Sequence, residues 1–292
     1  MNAQTAFALI NPQTKAPAFK IFTFEDGSYF NEVKNYNYYN VILIFEGEGV
    51  LNTNISAYNF DKQSAIFLSI YQPFAIKAKA GIKGLLLSFH PDFFCIHKHQ
   101  HEVSCNGVLF NNIYDSPVLA LNADELQTLT GIVEMLKMEM QKPELAQYEL
   151  MVSYLKIFLI NASRLKVSSA PVNELPASKE PFILQNLKDA IEEYYKTKHS
   201  PSDYSGLLHI STRALNRISK IHFNKTLTNL IAERIVIEAK RELYLTSKPV
   251  KRIAYDLGFN DEFYFSRFFK SNAEVSPQIY RDTVGFARAE VA

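Results

Sequence analysis

Between Ser211 and Lys225 the chain carries Arg213, Arg217, Lys220 and Lys225 and no acid. Four cations on a helical stretch can form a surface that faces phosphate, and they can equally form a solvated helix face; charge alone leaves both readings open. A second group of reactive types lies in eleven residues: Cys95, His97, His99, His101 and Cys105. Thiols and imidazoles are zinc ligands, and three alternating histidines would share one face if the segment were extended. The spacing matches no standard zinc finger, so we read a surface histidine run and assign no metal. The chain has no nucleophile elbow, phosphate loop or dinucleotide fingerprint, so we expect no catalytic residue, no cofactor and no enzyme.

The elements that must position these residues follow from the apolar pattern. Of 292 residues, 47% are hydrophobic and 21% charged, a globular composition long enough for two domains. Apolar runs such as Asn40–Phe45 and Val152–Ile160 are too short to span a bilayer. The start has neither a basic nor an apolar signal segment, and two cysteines make no disulfide framework, so we expect a cytoplasmic protein without membrane contact. Net charge is +1. Residues 180–292 hold 17 Lys+Arg against 14 Asp+Glu, so the balance there is only +3.

Short runs rich in β-branched and aromatic residues fill residues 19–94: Phe19–Phe24, Val41–Phe45, Ala65–Ile70 and Leu85–Phe89. They predict an antiparallel barrel or sandwich. Leu126, Leu129, Ile132, Val133 and Leu136, then Met151, Leu155, Phe158 and Leu159, predict two antiparallel helices over 123–165, broken at Lys142-Pro143. Lys166–Pro181, with three prolines and three serines, reads as a linker. Residues 182–292 read as all helical. A long helix over Thr226–Thr246 has Leu227, Ile231, Ile235, Ala239 and Leu243 in one stripe. At 1.5 Å per residue it measures roughly 30 Å.

That long helix joins two copies of one pattern. Fifty residues apart, Leu207 matches Leu257, Leu215 matches Phe265, Arg217 matches Arg267 and Lys220 matches Lys270. Ser211 and Asp261 stand as the capping residues of equivalent helices. A short helix, a turn and a second helix is the geometry that seats a helix in the DNA major groove. A spacer of roughly 30 Å suits successive groove turns, which lie about 34 Å apart.

The segments Glu233-Arg234, Ala239–Leu243, Ile253–Phe259, Tyr264–Lys270 and Ser276-Pro277 with Tyr280-Arg281 together resemble the arabinose-regulator (AraC/XylS-type) transcription regulators over about Phe182–Arg281. The resemblance implies that Arg213, Asn216 and Arg217 on one recognition helix, and Glu262, Phe263, Ser266 and Arg267 on the other, face the bases. Arg pairs with guanine, Asn with adenine, Glu accepts from cytosine, and Phe packs on a thymine methyl. It gives Lys220, Lys225 and Lys270 to phosphates. The sequence departs from the family at Leu208-His209-Ile210, Phe223-Asn224-Lys225 and Ala273-Glu274-Val275, where a glycine is usual.

The resemblance also implies an α+β chain. Residues 1–165 would form a cupin-like antiparallel β-barrel with a helix pair for sensing and dimerisation, and residues 182–292 a double helix-turn-helix domain. The catalytic cupin pattern is missing, since Pro91 replaces its glycine and no Glu follows the histidines at the right distance. Tyr29, Tyr36, Tyr38, Tyr39 and Phe45 can line a pocket or form core, and none is assigned to a ligand. The expected partners are double-stranded DNA, RNA polymerase, a small effector and a second copy of the chain. The expected role is an activator.

Overall fold

A computed structural model describes residues 6–11, 15–53, 56–103, 107–142, 144–169 and 180–284. Two compact units divide the chain between residues 170 and 171.

Two antiparallel sheets and a helix pair make the first unit. In the larger sheet the order is β1 (Ala6–Ile10), β2 (Pro17–Phe24), β8 (Lys83–Phe89), β3 (Tyr39–Glu46), β6 (Ser64–Leu68) and β9 (Val118–Ala120). The smaller has β5 (Ala57–Phe60), β4 (Gly49–Thr53) and β7 (Phe74–Ala78). Phe24, Ile42, Ile44, Ile66, Leu68 and Leu86 from the larger sheet share one buried cluster with Leu51, Phe60, Phe74 and Ile76 from the smaller. This is a two-sheet antiparallel arrangement of the barrel or sandwich kind that the strand pattern predicts. β3 is buried on both faces, because its alternate residues Tyr39, Val41 and Leu43 point away from that cluster and are also buried. That is why it reads as a continuous apolar run instead of an alternating one. Tyr39 accordingly packs on Phe89 and Phe110, with ring centroids at 5.2 and 5.0 Å. Tyr39 and, by alternation, Phe45 therefore lie outside the barrel interior, whereas Tyr29 and Tyr36 pack on it.

α1 (Gln100–Val103) is a single turn. Residues 97–99 before it are turns, so the histidines do not share the face of an extended strand. His99 stacks on Phe94 and its Nδ1 lies 2.8 Å from Glu102, which also accepts from Lys156. Cys105 lies outside the described residues. Among the described residues no group of three or more His, Cys, Asp or Glu is placed to hold a metal.

α2 (Ala123–Gln141) starts on a capping box: Asn122 accepts from the Glu125 amide, and the Glu125 carboxylate accepts from the Asn122 amide. α3 (Gln147–Ser168) buries Met151, Leu155, Phe158 and Leu159, the predicted stripe. α3 runs three residues past Leu165, so the predicted linker begins inside a helix. Lys166 is buried there and donates to the carbonyls of Ser116 and Val118 at 2.8 and 3.2 Å, fastening α3 to the strand beside it. Among the described residues no helix is long and apolar enough to cross a membrane.

The second unit is helical throughout: α4 (Glu180–Tyr194), α5 (Pro201–Leu208), α6 (Thr212–Phe223), α7 (Leu227–Leu245), α8 (Val250–Asp256), α9 (Glu262–Ala273) and α10 (Pro277–Val284). Leu227, Ile231, Ile235, Ala239 and Leu243 of α7 are all buried, as the stripe predicts. Arg281 donates to the carbonyls of Leu243 and Lys248 at 3.1 and 2.7 Å, tying α10 to the end of α7.

Candidate nucleic-acid interface

Each helix-turn-helix unit is assembled from local signals. Ser200 caps α5 in a reciprocal box with Asp203, with proline at the first helical position. The same hydrogen bonds from Ser200 hold the Asp203 carboxyl below its usual range. Ser211 caps α6 by accepting from the Ala214 amide at 3.3 Å, and Asp261 caps α9 by accepting from the Tyr264 amide. Leu215 and Phe265, equivalent in the repeat, are both fully buried.

The two turns are not the same length. α5 ends on His209, with φ 53°, two residues before Ser211; the second turn passes through Gly258, with φ 80°, three residues before Asp261. The repeat therefore runs at fifty residues through α6 and α9 and at forty-nine through the turns, by His209 and Gly258. This is why Leu207 does not match Leu257: Leu207 is exposed and Leu257 is buried. Gly258 has no alternative, because a Cβ there would meet the Lys196 carbonyl oxygen at 1.9 Å. At the three places where the family's glycine is replaced, the backbone still takes the left-handed form: His209, Asn224 and Glu274 have φ of 53°, 55° and 62°.

On α6 the side chains of Arg213, Arg217 and Lys220 are exposed, and on α9 those of Phe263, Arg267 and Lys270. Glu262 and Ser266 are half-buried on the same helix. Among the described residues none of Arg213, Arg217, Lys220, Arg267 and Lys270 is held in an ion pair. Elsewhere in the unit some cations are neutralised, as Arg234 lies 2.7 Å from Glu192, Arg241 2.8 Å from Glu238, and Lys248 3.0 Å from Asp256, while Lys196 and Lys251 are exposed and in no ion pair among the described residues.

Two expected contacts change character. Lys225 is not on the exposed face; it is buried, and its Nζ lies 2.7 Å from Glu233 on α7. It is a structural cation because the turn after α6 folds it under the helix. Asn216 is half-buried, and its Oδ1 accepts from the Leu227 amide at 3.1 Å, satisfying a free N–H at the start of α7. In the other unit the equivalent of Leu227 is Pro277, which has no N–H to satisfy. One exposed residue escaped the sequence reading. Tyr264 is 57% exposed beside Phe263, with its ring 5.8 Å from Phe259. The available signal was its place one residue before the buried Phe265, off the apolar face of α9.

Residues 204–283 match a family model described as a helix-turn-helix domain. Over 138 residues the chain is 28% identical to the raffinose operon transcriptional regulatory protein RafR of Pediococcus pentosaceus, covering 47% of this chain and 46% of that protein. Over 69 residues it is 36% identical to the HTH-type transcriptional activator RhaS of Mannheimia succiniciproducens, covering 24% of this chain and 26% of that protein. The chain thus spans less than half the length of these two curated relatives. Among solved structures, the C-terminal domain of the two-component response regulator yesN from Fusobacterium nucleatum is 27% identical, covering 34% of this chain and 98% of that one with a TM-score of 0.33. With the motifs, the two capped helix pairs and the matched segment taken together, residues 204–283 form a helix-turn-helix domain similar to those of AraC-type regulators.

Proposed function

We propose that the protein is a sequence-specific DNA-binding transcription regulator and not an enzyme, with α6 and α9 entering successive major grooves on one face of the duplex. The observation that carries this reading is the placement of five exposed cations, none in an ion pair among the described residues, on the equivalent faces of the two helices α6 and α9. α7, with 19 residues, spans about 28 Å, which suits grooves about 34 Å apart. Arg213, Arg217, Glu262, Phe263, Ser266 and Arg267 read bases, Asn216 contributes its free amide hydrogens, and Lys220 and Lys270 hold phosphates. Residues 1–165 serve as the sensor of a small effector and, through the α2–α3 pair, as the contact with a second copy. RNA polymerase is the further partner, and activation is the mode suggested by the name of the RhaS relative.

Selection of random duplex DNA by the full chain at two salt concentrations tests the reading. An enriched motif with two blocks about one helical turn apart is expected, with binding that weakens steeply as salt rises. Binding without any enriched motif, or no binding, refutes it.

A further inference from the structure

The two edges of the larger sheet differ. At one edge β9 is only three residues long, and the Lys166 ammonium donates to the carbonyls of Ser116 and Val118 that point away from the sheet. In the smaller sheet β7 is met by Lys34, whose amide and carbonyl exchange hydrogen bonds with Phe74 at 2.7 and 3.0 Å. Very short edge strands and edge lysines keep other chains from adding to a sheet. β1, at the other edge of the larger sheet, carries no such device. It reads Ala6-Phe7-Ala8-Leu9-Ile10, without charge or proline, and among the described residues it pairs with β2 alone.

The backbone directions fix what this edge offers. His90, just past β8, donates to the Ala18 carbonyl at 2.8 Å. Two residues back, Ser88 turns its backbone groups to β2 as well, and its partner Lys20 turns to β8. The alternate residues Phe19 and Ile21 thus face β1, where they pair with Leu9 and Phe7. Asn11 also turns inward, its amide donating to the Ala16 carbonyl at 2.9 Å. The N–H and C=O groups of Ala6, Ala8 and Ile10 therefore point away from the sheet. All three residues are exposed, Ile10 by 48%.

We propose that this edge pairs with the same edge of a second copy of the chain, antiparallel about a two-fold axis at Ala8, so that two larger sheets join into one. The outward groups are centred on Ala8, as self-pairing requires. Ala6 faces Ile10 of the partner subunit, Ala8 faces its own equivalent, and each pair exchanges both hydrogen bonds. Between them Phe7 packs beside Leu9 of the partner subunit, an aromatic against a branched chain. A lysine or glutamate at the axis would meet its own charge, whereas alanine meets only a methyl. The neighbouring helix α2 packs beside β1 and leaves Met135 and Met138 exposed, which adds apolar surface on the same side of the sequence order. This backbone contact goes beyond the α2–α3 contact proposed above and needs no DNA.

Disulfide trapping of the full chain tests the register. In Ala8→Cys the two Cα atoms lie about 5.5 Å apart across the axis, within the span of a disulfide, so mild oxidation is expected to give a covalent dimer. In Ala6→Cys the equivalent positions lie four residues apart along the paired strands, about 14 Å, and no dimer should form. Ala6→Cys combined with Ile10→Cys should cross-link again. The wild type gives the background from the native cysteines. Sedimentation equilibrium is the second measure. Ala8→Pro removes an N–H that faces solvent in the single copy, so the chain should fold, and its dimer dissociation constant should rise at least tenfold. Should Ala8→Pro not fold, the cysteine variants decide. No cross-link in Ala8→Cys, equal cross-linking in Ala6→Cys, an unchanged dissociation constant in folded Ala8→Pro, or a wild type that is monomeric throughout the micromolar range would each overturn the proposal. A dimer that Met138→Glu dissociates and Ala8→Pro does not would put the contact on α2–α3 alone and overturn it too. DNA selection is read separately, so failure of the edge contact and failure of the regulator reading are distinguishable.

Discussion

Lys225 Nζ and a Glu233 carboxylate oxygen lie 2.7 Å apart across the turn that joins the first recognition helix to α7, with Lys225 only 6% exposed. Removing one member of a buried pair strands the other, and burial already pushes the Glu233 carboxyl up. Lys225→Met is therefore expected to cost about 3 kcal/mol in denaturant unfolding and to leave the salt dependence of DNA binding unchanged. Lys220→Ala, on the exposed face, should do the reverse. It should leave stability alone, weaken binding to all sequences alike and flatten the salt slope by about one.

Arg267 tests base reading. Arg267→Ala should cost about 1–3 kcal/mol at the selected site and relax preference at one position, measured by repeating the selection with the variant. Equal weakening on every sequence would reassign Arg267 to the phosphates.

Gly258 tests the turn. Its φ of 80° and the 1.9 Å approach of the Lys196 carbonyl to a Cβ make Gly258→Ala a backbone clash. It is expected to cost about 3 kcal/mol or more in thermal or denaturant unfolding. Wild-type stability in this variant would mean that the turn adopts another form.

Glu274 and Asn224 form a matched pair. Both hold left-handed backbone, but Asn tolerates it and Glu does not. Glu274→Gly is expected to stabilise the unit by about 1 kcal/mol, while Asn224→Gly should be nearly neutral. The difference in denaturation midpoint between the two variants checks the strain at Glu274.

Lys240 gives a pH dependence. Burial brings its ammonium down to about 7, opposed by the charge of Glu233. The folded pKa thus lies below the unfolded value of 10.5, so between about pH 7 and 10.5 the unfolded chain holds the extra proton. Over that window stability rises with pH; below it the cost of the buried ammonium is fully present. Comparing unfolding of the wild type and Lys240→Met from pH 6 to 10 should show a shallower rise in the variant.

Much of the second unit was legible because its signals are local. Ser211 and Asp261 cap helices where the sequence places them, and the α7 stripe is buried residue for residue. The first unit was legible in its long strands, β2, β3 and β8. β4 and β7 were not: Gly49–Thr53 and Phe74–Ala78 are five-residue strands whose pairing with each other depends on contacts distant in sequence. The roles of Asn216 and Lys225 were hidden for a related reason. Residue type and spacing mark both as surface groups, and only the path of the turn after Phe223 takes Lys225 inside and brings the Leu227 amide to Asn216.

The Asn216–Leu227 hydrogen bond has a consequence for anyone seeking to change what the first unit reads. On the proposed reading one side chain both begins the linker helix and faces the groove, with its carbonyl turned toward the protein and its amide hydrogens left for a base. Replacing Asn216 to obtain a new preference would at the same time unfasten the first turn of α7, whose length sets the distance between the two recognition helices. Position 266 carries no such double duty, because proline follows its turn. Adaptation to new operators is thus easier through the second unit, and the first is bound to its spacer by a shared atom.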